Sequence, residues 1–256
     1  MTLPEQGLVK SLTSHGVDLP PNFGDALNSQ AILSTALISV FRGKFCDFVL
    51  ANRKATTFSK HSVIYDVGER SRTFFFLQSG FVKVGTITAD GREVIYDVRK
   101  GGDVIGELCA SEELRPDRAV ALEETDAICV PFEDVIQQIL KKPDLIAVLV
   151  DVFCRALKEA YAQVNSLAID DTVHRLIKVL IGLAAKIGRR SGTSVEIPTY
   201  LTQEEIAQMA AARRERVCTA LNSLRRRGMV QYSARGHMLL DVGALEFYSA
   251  EATERH

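Results

Sequence analysis

The chain of 256 residues lacks several features that would assign it to common classes. It has no run of eighteen apolar residues, so no transmembrane helix is expected. Its five cysteines, Cys46, Cys109, Cys129, Cys154 and Cys218, are odd in number, far apart and without a C-x-x-C pair. A structural zinc and a disulfide framework are therefore not expected. Free, buried thiols in a reducing cytoplasm are expected instead. The five histidines are scattered, with no H-E-x-x-H, and no G-x-S-x-G elbow is present. The start, MTLPEQGLVK, lacks the basic residues and apolar run of a secretion signal, so a cytoplasmic location is expected. Nor is there an excess of either charge: 31 basic against 32 acidic residues gives −1. For the chain as a whole, that speaks against nucleic acid, whose partners are usually basic.

What is present is a globular composition, 46% hydrophobic and 25% charged, long enough for two domains. Residues 1–30 carry Pro4, Pro20 and Pro21 with weak apolar patterning, and read as an arm or loosely docked extension. Residues 31–44 place Ile32, Leu33, Leu37 and Val40 at helical spacing. From about 48 to 133, short apolar runs alternate with turn residues, and Asp90-Gly91 is a hairpin signal. Evenly spaced short strands predict a β-barrel or β-roll. The period then becomes helical.

Pro143 suits the first turn of a long helix reaching about residue 168. Ile146, Leu149, Phe153, Ala156, Ala160, Val164 and Leu167 form an apolar stripe along it, and Val148, Val152 and Leu157 a second face. The stripe suits either a dimer seam or packing on its own domain. The second face favours the seam, since one face can cover the barrel while the other meets a partner. Beyond Asp170-Asp171, Leu176, Ile177, Leu180 and Leu183 predict another helix, followed by a loop at Gly188–Gly192, a short strand VEIP, two short helices and a final alternating segment. These shifts divide the chain into an arm (1–30), a sensor unit (31–142), a long helix (143–169) and a C-terminal unit (170–250).

The segment TYLTQEEIAQMAAARRERVCTALNSLRRRGMV is the most informative. Thr202 and Glu205 form a capping box. Ile206 and Met209 give the first helix an apolar face, three alanines make a compact turn, and Val217, Leu221 and Leu224 face the core from a second helix ended by Gly228. This is a helix-turn-helix pattern, whose second helix presents its first residues to a major groove. Arg213, Arg214, Glu215, Arg216 and Thr219 stand there; arginine reads guanine and glutamate accepts from cytosine N4. A hairpin around Arg235 and Gly236 would be a wing.

The segment GGDVIGELCASEELRPDRAVALEETDAICVP is the second. Gly106 permits close backbone approach to a ligand, Glu107 can accept from a sugar hydroxyl, and Arg118 can pair with a phosphate. The same residues also fit a structural Glu–Arg ion pair within a turn. No nucleophile, base or metal cluster accompanies them, so an enzyme is not expected.

These two segments resemble those of the CRP/FNR family of bacterial transcription regulators. The resemblance covers about residues 31–245 and rests on IGEL followed by RAVAL, on SLAIDDTVHRLIKVLIGLA and on the helix-turn-helix stretch. It implies an α+β fold: an N-terminal cyclic-nucleotide-binding-type β-roll, a long dimerisation helix and a C-terminal winged helix-turn-helix. It implies a homodimer on palindromic double-stranded DNA, RNA polymerase as a further partner, no membrane, and a ligand-driven population shift about a hinge near Asp170-Asp171. The effector would be a cyclic nucleotide, cyclic AMP or cyclic GMP, held by Gly106, Glu107, Leu108, Cys109, Arg118, Ala119 and Tyr161. The DNA-binding residues would be Thr202, Arg213, Arg214, Glu215, Arg216, Thr219 and Arg235.

Three departures bear on specificity. Ala119 stands where the cyclic-AMP receptor has serine, Ala160 and Tyr161 stand where it has the Thr-Ser pair that contacts adenine, and Thr219 replaces the last of its DNA-reading arginines. An altered base choice, a vestigial pocket with another effector or none, and a changed operator all follow as expectations. No N-terminal cysteine cluster or His–Cys arrangement suggests iron–sulfur or haem sensing. Under this division the charge also divides: residues 172–240 hold twelve basic and four acidic residues, a net +8 that leaves −9 elsewhere. A basic DNA-binding module joined to an acidic sensor is thus the expected organisation.

Overall fold

A computed structural model of the protein describes residues 53–110, 114–141 and 144–253. The expected arm, the 31–44 helix, Cys46 and Pro143 lie outside the described residues. The first described unit is built of eight short strands: β1 (Thr56–Phe58), β2 (Val63–Tyr65), β3 (Thr73–Leu77), β4 (Phe81–Ile87), β5 (Glu93–Lys100), β6 (Val104–Ile105), β7 (Arg118–Ala121) and β8 (Thr125–Pro131). They form two four-stranded antiparallel sheets, ordered β1-β8-β3-β6 and β2-β7-β4-β5. Phe75, Leu77, Val82, Ile105, Ala119 and Ala127 fill the space between the sheets. The hairpin expected at Asp90-Gly91 joins β4 to β5, with Gly91 at φ +80° as its turn requires.

Three helices follow: α1 (Phe132–Lys141), α2 (Asp144–Ile169) and α3 (Thr172–Ile187). Val135 and Ile139 seat α1 on β3 and β8 through Phe74, Phe76, Ile128 and Val130. The break between α2 and α3 falls at Asp170-Asp171. Asp171 caps α3 by accepting from the His174 amide at 2.8 Å, and Asp170 takes the ammonium of Lys178 at 2.5 Å. The stripe on α2 differs in detail from the sequence expectation. Ile146, Val150, Phe153, Leu157, Tyr161, Val164 and Leu167 are all exposed in the single chain, so Leu157 lies in line with Phe153, not on a second face. Every described residue between Phe153 and Asn165 is exposed in the single chain.

The C-terminal unit continues with β9 (Arg189–Ser191), β10 (Ser194–Glu196), α4 (Gln203–Met209), α5 (Arg214–Arg226), β11 (Val230–Tyr232), β12 (Met238–Leu240) and α6 (Val242–Thr253). Its sheet runs β11-β12-β10-β9. Two elements depart from expectation. Residues 189–191 are a strand paired to β10, not a loop, and the described residues end in a helix that starts as Asp241 accepts from the Ala244 amide at 3.0 Å.

The two units share one apolar core. Phe81, Ile95, Val98 and Leu122 of the roll join Leu176, Leu180, Leu183, Ile206 and Met209 beneath the helix-turn-helix. Burying side chains of this size stabilises by roughly 1.5–3 kcal/mol each. Beside this apolar contact, Lys83 of β4 reaches Glu93 of β5 at 3.0 Å and Glu205 of α4 at 3.2 Å.

Candidate ligand pocket and nucleic-acid interface

The ligand candidate is the bend between β6 and β7. Gly106 sits at φ +86°, and a Cβ there would come within 2.7 Å of the Thr73 carbonyl and 3.1 Å of the Arg115 guanidinium. The glycine therefore makes room for protein atoms, which adds to the reason read from the sequence. A short 3-10 turn, Glu107–Ala110, follows it. Glu107 and Arg118 do not pair with each other. Glu107 lies 3.9 Å from Arg99, and Arg118 lies 3.4 Å from Asp66. Nε of Arg118 is buried and makes no hydrogen bond among the described residues. This geometry speaks against the alternative of a structural Glu107–Arg118 bridge.

The other predicted pocket residues divide. Leu108 is exposed beside Glu107, whereas Cys109 is buried and points into the core between α1 and the roll. Ala119 is fully buried between the sheets and adds no polar atom. Tyr161 is 61% exposed on α2 and makes no hydrogen bond among the described residues.

Three residues that the sequence reading did not single out support this bend from below. Arg115 is buried, stacks on Tyr65 at 4.0 Å and donates to the Thr73 carbonyl at 2.6 Å and the Gly106 carbonyl at 3.4 Å. Tyr65 donates to Asp117 at 2.9 Å. Burial raises the Asp117 carboxyl above the ordinary carboxylate range, helped by the charge of Glu107, while the Tyr65 bond pulls the other way. Burial likewise pushes the Tyr65 phenol up, with Asp117 adding to it. The only hint in the sequence was the dense Arg-Pro-Asp-Arg run at 115–118.

Expectations about the thiols need correction. Cys109 is buried, but Cys129 and Cys218 are half-buried and Cys154 is exposed; all four are free. Cys218 donates to Gln203 at 2.8 Å and so links the two helices of the helix-turn-helix.

The DNA candidate is built as expected from its cap. The Thr202 hydroxyl accepts from the Glu205 amide at 3.1 Å, and Glu205 accepts from the Thr202 amide at 2.9 Å. Because the same hydroxyl also donates to Glu205 at 2.9 Å, Thr202 serves to hold the helix start. Arg213 is the residue before α5, with no side-chain cap, so the helix itself begins at Arg214. Arg213, Arg214, Glu215, Arg216 and Thr219 are all exposed. None of the four charged side chains is paired among the described residues, and the Thr219 hydroxyl bonds back to the Glu215 carbonyl at 2.9 Å. The wing is the β11–β12 hairpin, where Ser233 accepts from the Arg235 and His237 amides and Arg235 is exposed at the tip. Arg225 lies over Tyr232 at 5.2 Å and Arg227 over Tyr248 at 4.9 Å. These two arginines therefore have structural partners.

The turn between the helices holds Ala211 at φ +46°, the left-handed region. It is gripped by Arg175 of α3, which donates to Ala210 O at 3.0 Å, Ala211 O at 3.4 Å and Asp170 O at 2.8 Å. One guanidinium thus ties the end of α2 to the helix-turn-helix. A left-handed non-glycine residue costs about 1–2 kcal/mol, partly offset because glycine has more freedom when unfolded. Ala211→Gly should therefore raise the melting temperature by about 2 °C, an increment near 0.5–1 kcal/mol. A fall on thermal denaturation would contradict the strain assigned to Ala211.

A strand-built sensor joined by a long exposed helix to a winged helix-turn-helix defines a ligand-responsive DNA-binding regulator. Comparison with known proteins makes the class specific. Residues 55–142 match the cyclic nucleotide-binding domain and residues 174–248 the Crp-like helix-turn-helix domain. The chain belongs to the CRP/FNR family of transcription regulators. It is 28% identical over 185 residues to the CRP-like cAMP-activated global transcriptional regulator of Mycobacterium tuberculosis, covering 72% of this chain and 83% of that one. It is 24% identical over 183 residues to the anaerobic regulatory protein of Bacillus subtilis, covering 71% and 77%. Among solved structures it resembles a CooA mutant from Carboxydothermus hydrogenoformans, with a TM-score of 0.64 and 22% identity over 78% of this chain and 89% of that one. Among the described residues no helix is long and apolar enough to cross a membrane.

Proposed function

We propose that the protein works as a cytoplasmic homodimer that binds palindromic double-stranded DNA and regulates transcription with RNA polymerase as its partner. A cyclic nucleotide is its effector, with Glu107 on the ribose and Arg118 on the cyclic phosphate. The observation that carries the ligand reading is Arg118: among the described residues its buried Nε makes no hydrogen bond and lies 3.4 Å from the Asp66 carboxylate. A phosphate anion offers that fork the planar pairing it lacks. The cAMP-activated relative from M. tuberculosis is consistent with such a ligand.

A second reading is favoured by Ala119 and Tyr161. The first has no hydroxyl, and the second is exposed and makes no hydrogen bond among the described residues. The DNA function then stands with a different effector or none, consistent with a relative that is an anaerobic regulatory protein.

Calorimetry with cyclic AMP and cyclic GMP separates the two readings. Under the first, Arg118→Ala removes binding, and Asp66→Asn, which frees Arg118 from a competing carboxylate, tightens it about fivefold, near 1 kcal/mol. Absence of heat and of thermal shift with both nucleotides would establish the second.

A further inference from the structure

Five charged groups of alternating sign cross the junction of the three parts of the molecule. Glu107, in the ligand bend, lies 3.9 Å from Nη2 of Arg99 on β5. Nε of Arg99 lies 3.0 Å from Oδ2 of Asp97 on the same strand. That same Oδ2 is 3.0 Å from Nζ of Lys186, in the last turn of α3. The Lys186 ammonium also donates to Glu159 of α2 at 2.8 Å. Asp97 and Arg99 sit two apart on a strand and therefore share a face. Burial alone would weaken the charge on Arg99, but Asp97 and then Glu107 outweigh it and hold the guanidinium charged. Lys186 is kept charged in the same way by Asp97 and Glu159.

Two details distinguish this row from a static cluster. Asp97 offers one oxygen to two cations, so a closer approach of one changes what remains for the other. Lys186 and Asp97 also border a cavity of about 240 Å³ between β5, α2 and α3. Gly182, one turn earlier on α3, lines it, and a Cβ there would meet nothing within 4 Å. The ammonium has room to exchange partners.

We infer that Lys186 is a coupling residue: the row Glu107–Arg99–Asp97–Lys186–Glu159 transmits occupancy of the ligand bend to the DNA-binding unit and to the long helix. This rests on the reading that a ligand engages Glu107. A ligand hydroxyl donating to Glu107 weakens its hold on Arg99. Arg99 then draws fully on Asp97, and Lys186 transfers toward Glu159. The tie between α3 and the roll loosens while the tie between α3 and α2 tightens. A few partner exchanges thus bias the position of α3, on which the helix-turn-helix is carried through Arg175.

Lys186 lies neither in the ligand bend nor on the recognition helix, so it can be altered without touching either contact surface. The test uses the full-length protein, cyclic AMP as probe and a duplex selected from a random library. In the wild type, bound duplex should change the cyclic AMP dissociation constant about tenfold, within the usual range of allosteric coupling. Lys186→Gln should reduce that ratio to below twofold while cyclic AMP still binds, and Lys186→Arg should restore it. Glu159→Gln, at an exposed position, gives the same reading should Lys186→Gln fail to fold. A wild-type ratio in Lys186→Gln or Glu159→Gln would overturn the proposal.

If cyclic AMP does not bind the wild type, the nucleotide reading fails separately, and the row is judged by hydrogen exchange. Amides at 107–110 should then exchange several-fold faster in Lys186→Gln. Unchanged exchange would overturn the coupling whatever the ligand.

Discussion

Replacing Arg214 and Glu215 together with alanine should abolish discrimination between a selected DNA site and random duplex. Both side chains stand in the first turn of α5, exposed and unpaired among the described residues. A bidentate contact to a base edge contributes about 1–3 kcal/mol of discrimination. The proposed homodimer would present each contact twice, so losing them should cost specific affinity at least about a hundredfold. Non-specific binding should fall far less, because Arg213, Arg216 and Arg235 remain exposed to meet phosphates. Fluorescence anisotropy with both duplexes at two salt concentrations separates the effects. Sequence preference that survives the double substitution would remove α5 from the reading role. The fold should persist, since Val217, Ala220, Leu221 and Leu224 hold the helix from its opposite face.

Phe153→Asp with Leu157→Asp should convert the protein to a monomer. In one chain the apolar row on α2 runs from Ile146 to Leu167 in steps of three and four, all of it exposed. That periodicity suits the seam of a left-handed pair of helices in the proposed homodimer. A helix of 26 residues is about 39 Å long, so the seam extends well beyond a single contact. An uncompensated carboxylate at such a seam costs about 3–5 kcal/mol, and each substitution occurs twice in a dimer. The dissociation constant should rise at least about a thousandfold. Sedimentation would read the mass, and operator binding should weaken in step, because two recognition helices about 34 Å apart must engage together. A dimer that persists would place the interface elsewhere.

Features set by near neighbours in the chain were legible in the sequence. The Thr202–Glu205 cap, the turn at Asp90-Gly91 and the helix break at Asp170-Asp171 each depend on residues within eight positions, and each forms as read. The apolar period of α3 was equally plain, because Leu176, Leu180 and Leu183 face one core.

What escaped depends on distant partners. Arg175 looked like an ordinary helical arginine until the turn carbonyls thirty-five residues later folded against it. Tyr65 and Asp117 are fifty-two positions apart, and Lys186 and Asp97 eighty-nine. The ion pairs of Glu107 and Arg118 with Arg99 and Asp66 were likewise invisible, since residue types do not say which of several charges is nearest. Cysteine burial was over-generalised: propensity sends thiols inward on average, but Cys154 on α2 is exposed. The C-terminal helix was missed because its apolar residues are spread around its circumference, with Phe247 exposed and Leu245 buried.

The apolar surface shared by the roll and the helix-turn-helix sets a threshold on any effector. Swinging the DNA-binding unit away would return Phe81, Ile95 and Val98 to water unless the new arrangement covers them again. A ligand shifts two conformations only by the difference in its affinity for them. Tight binding alone is therefore insufficient: a molecule that fits the bend equally well in both arrangements would saturate the protein and leave its DNA affinity unchanged. Effector and competitive inhibitor would then differ not in how strongly they bind, but in whether they favour the arrangement in which that apolar surface is given up.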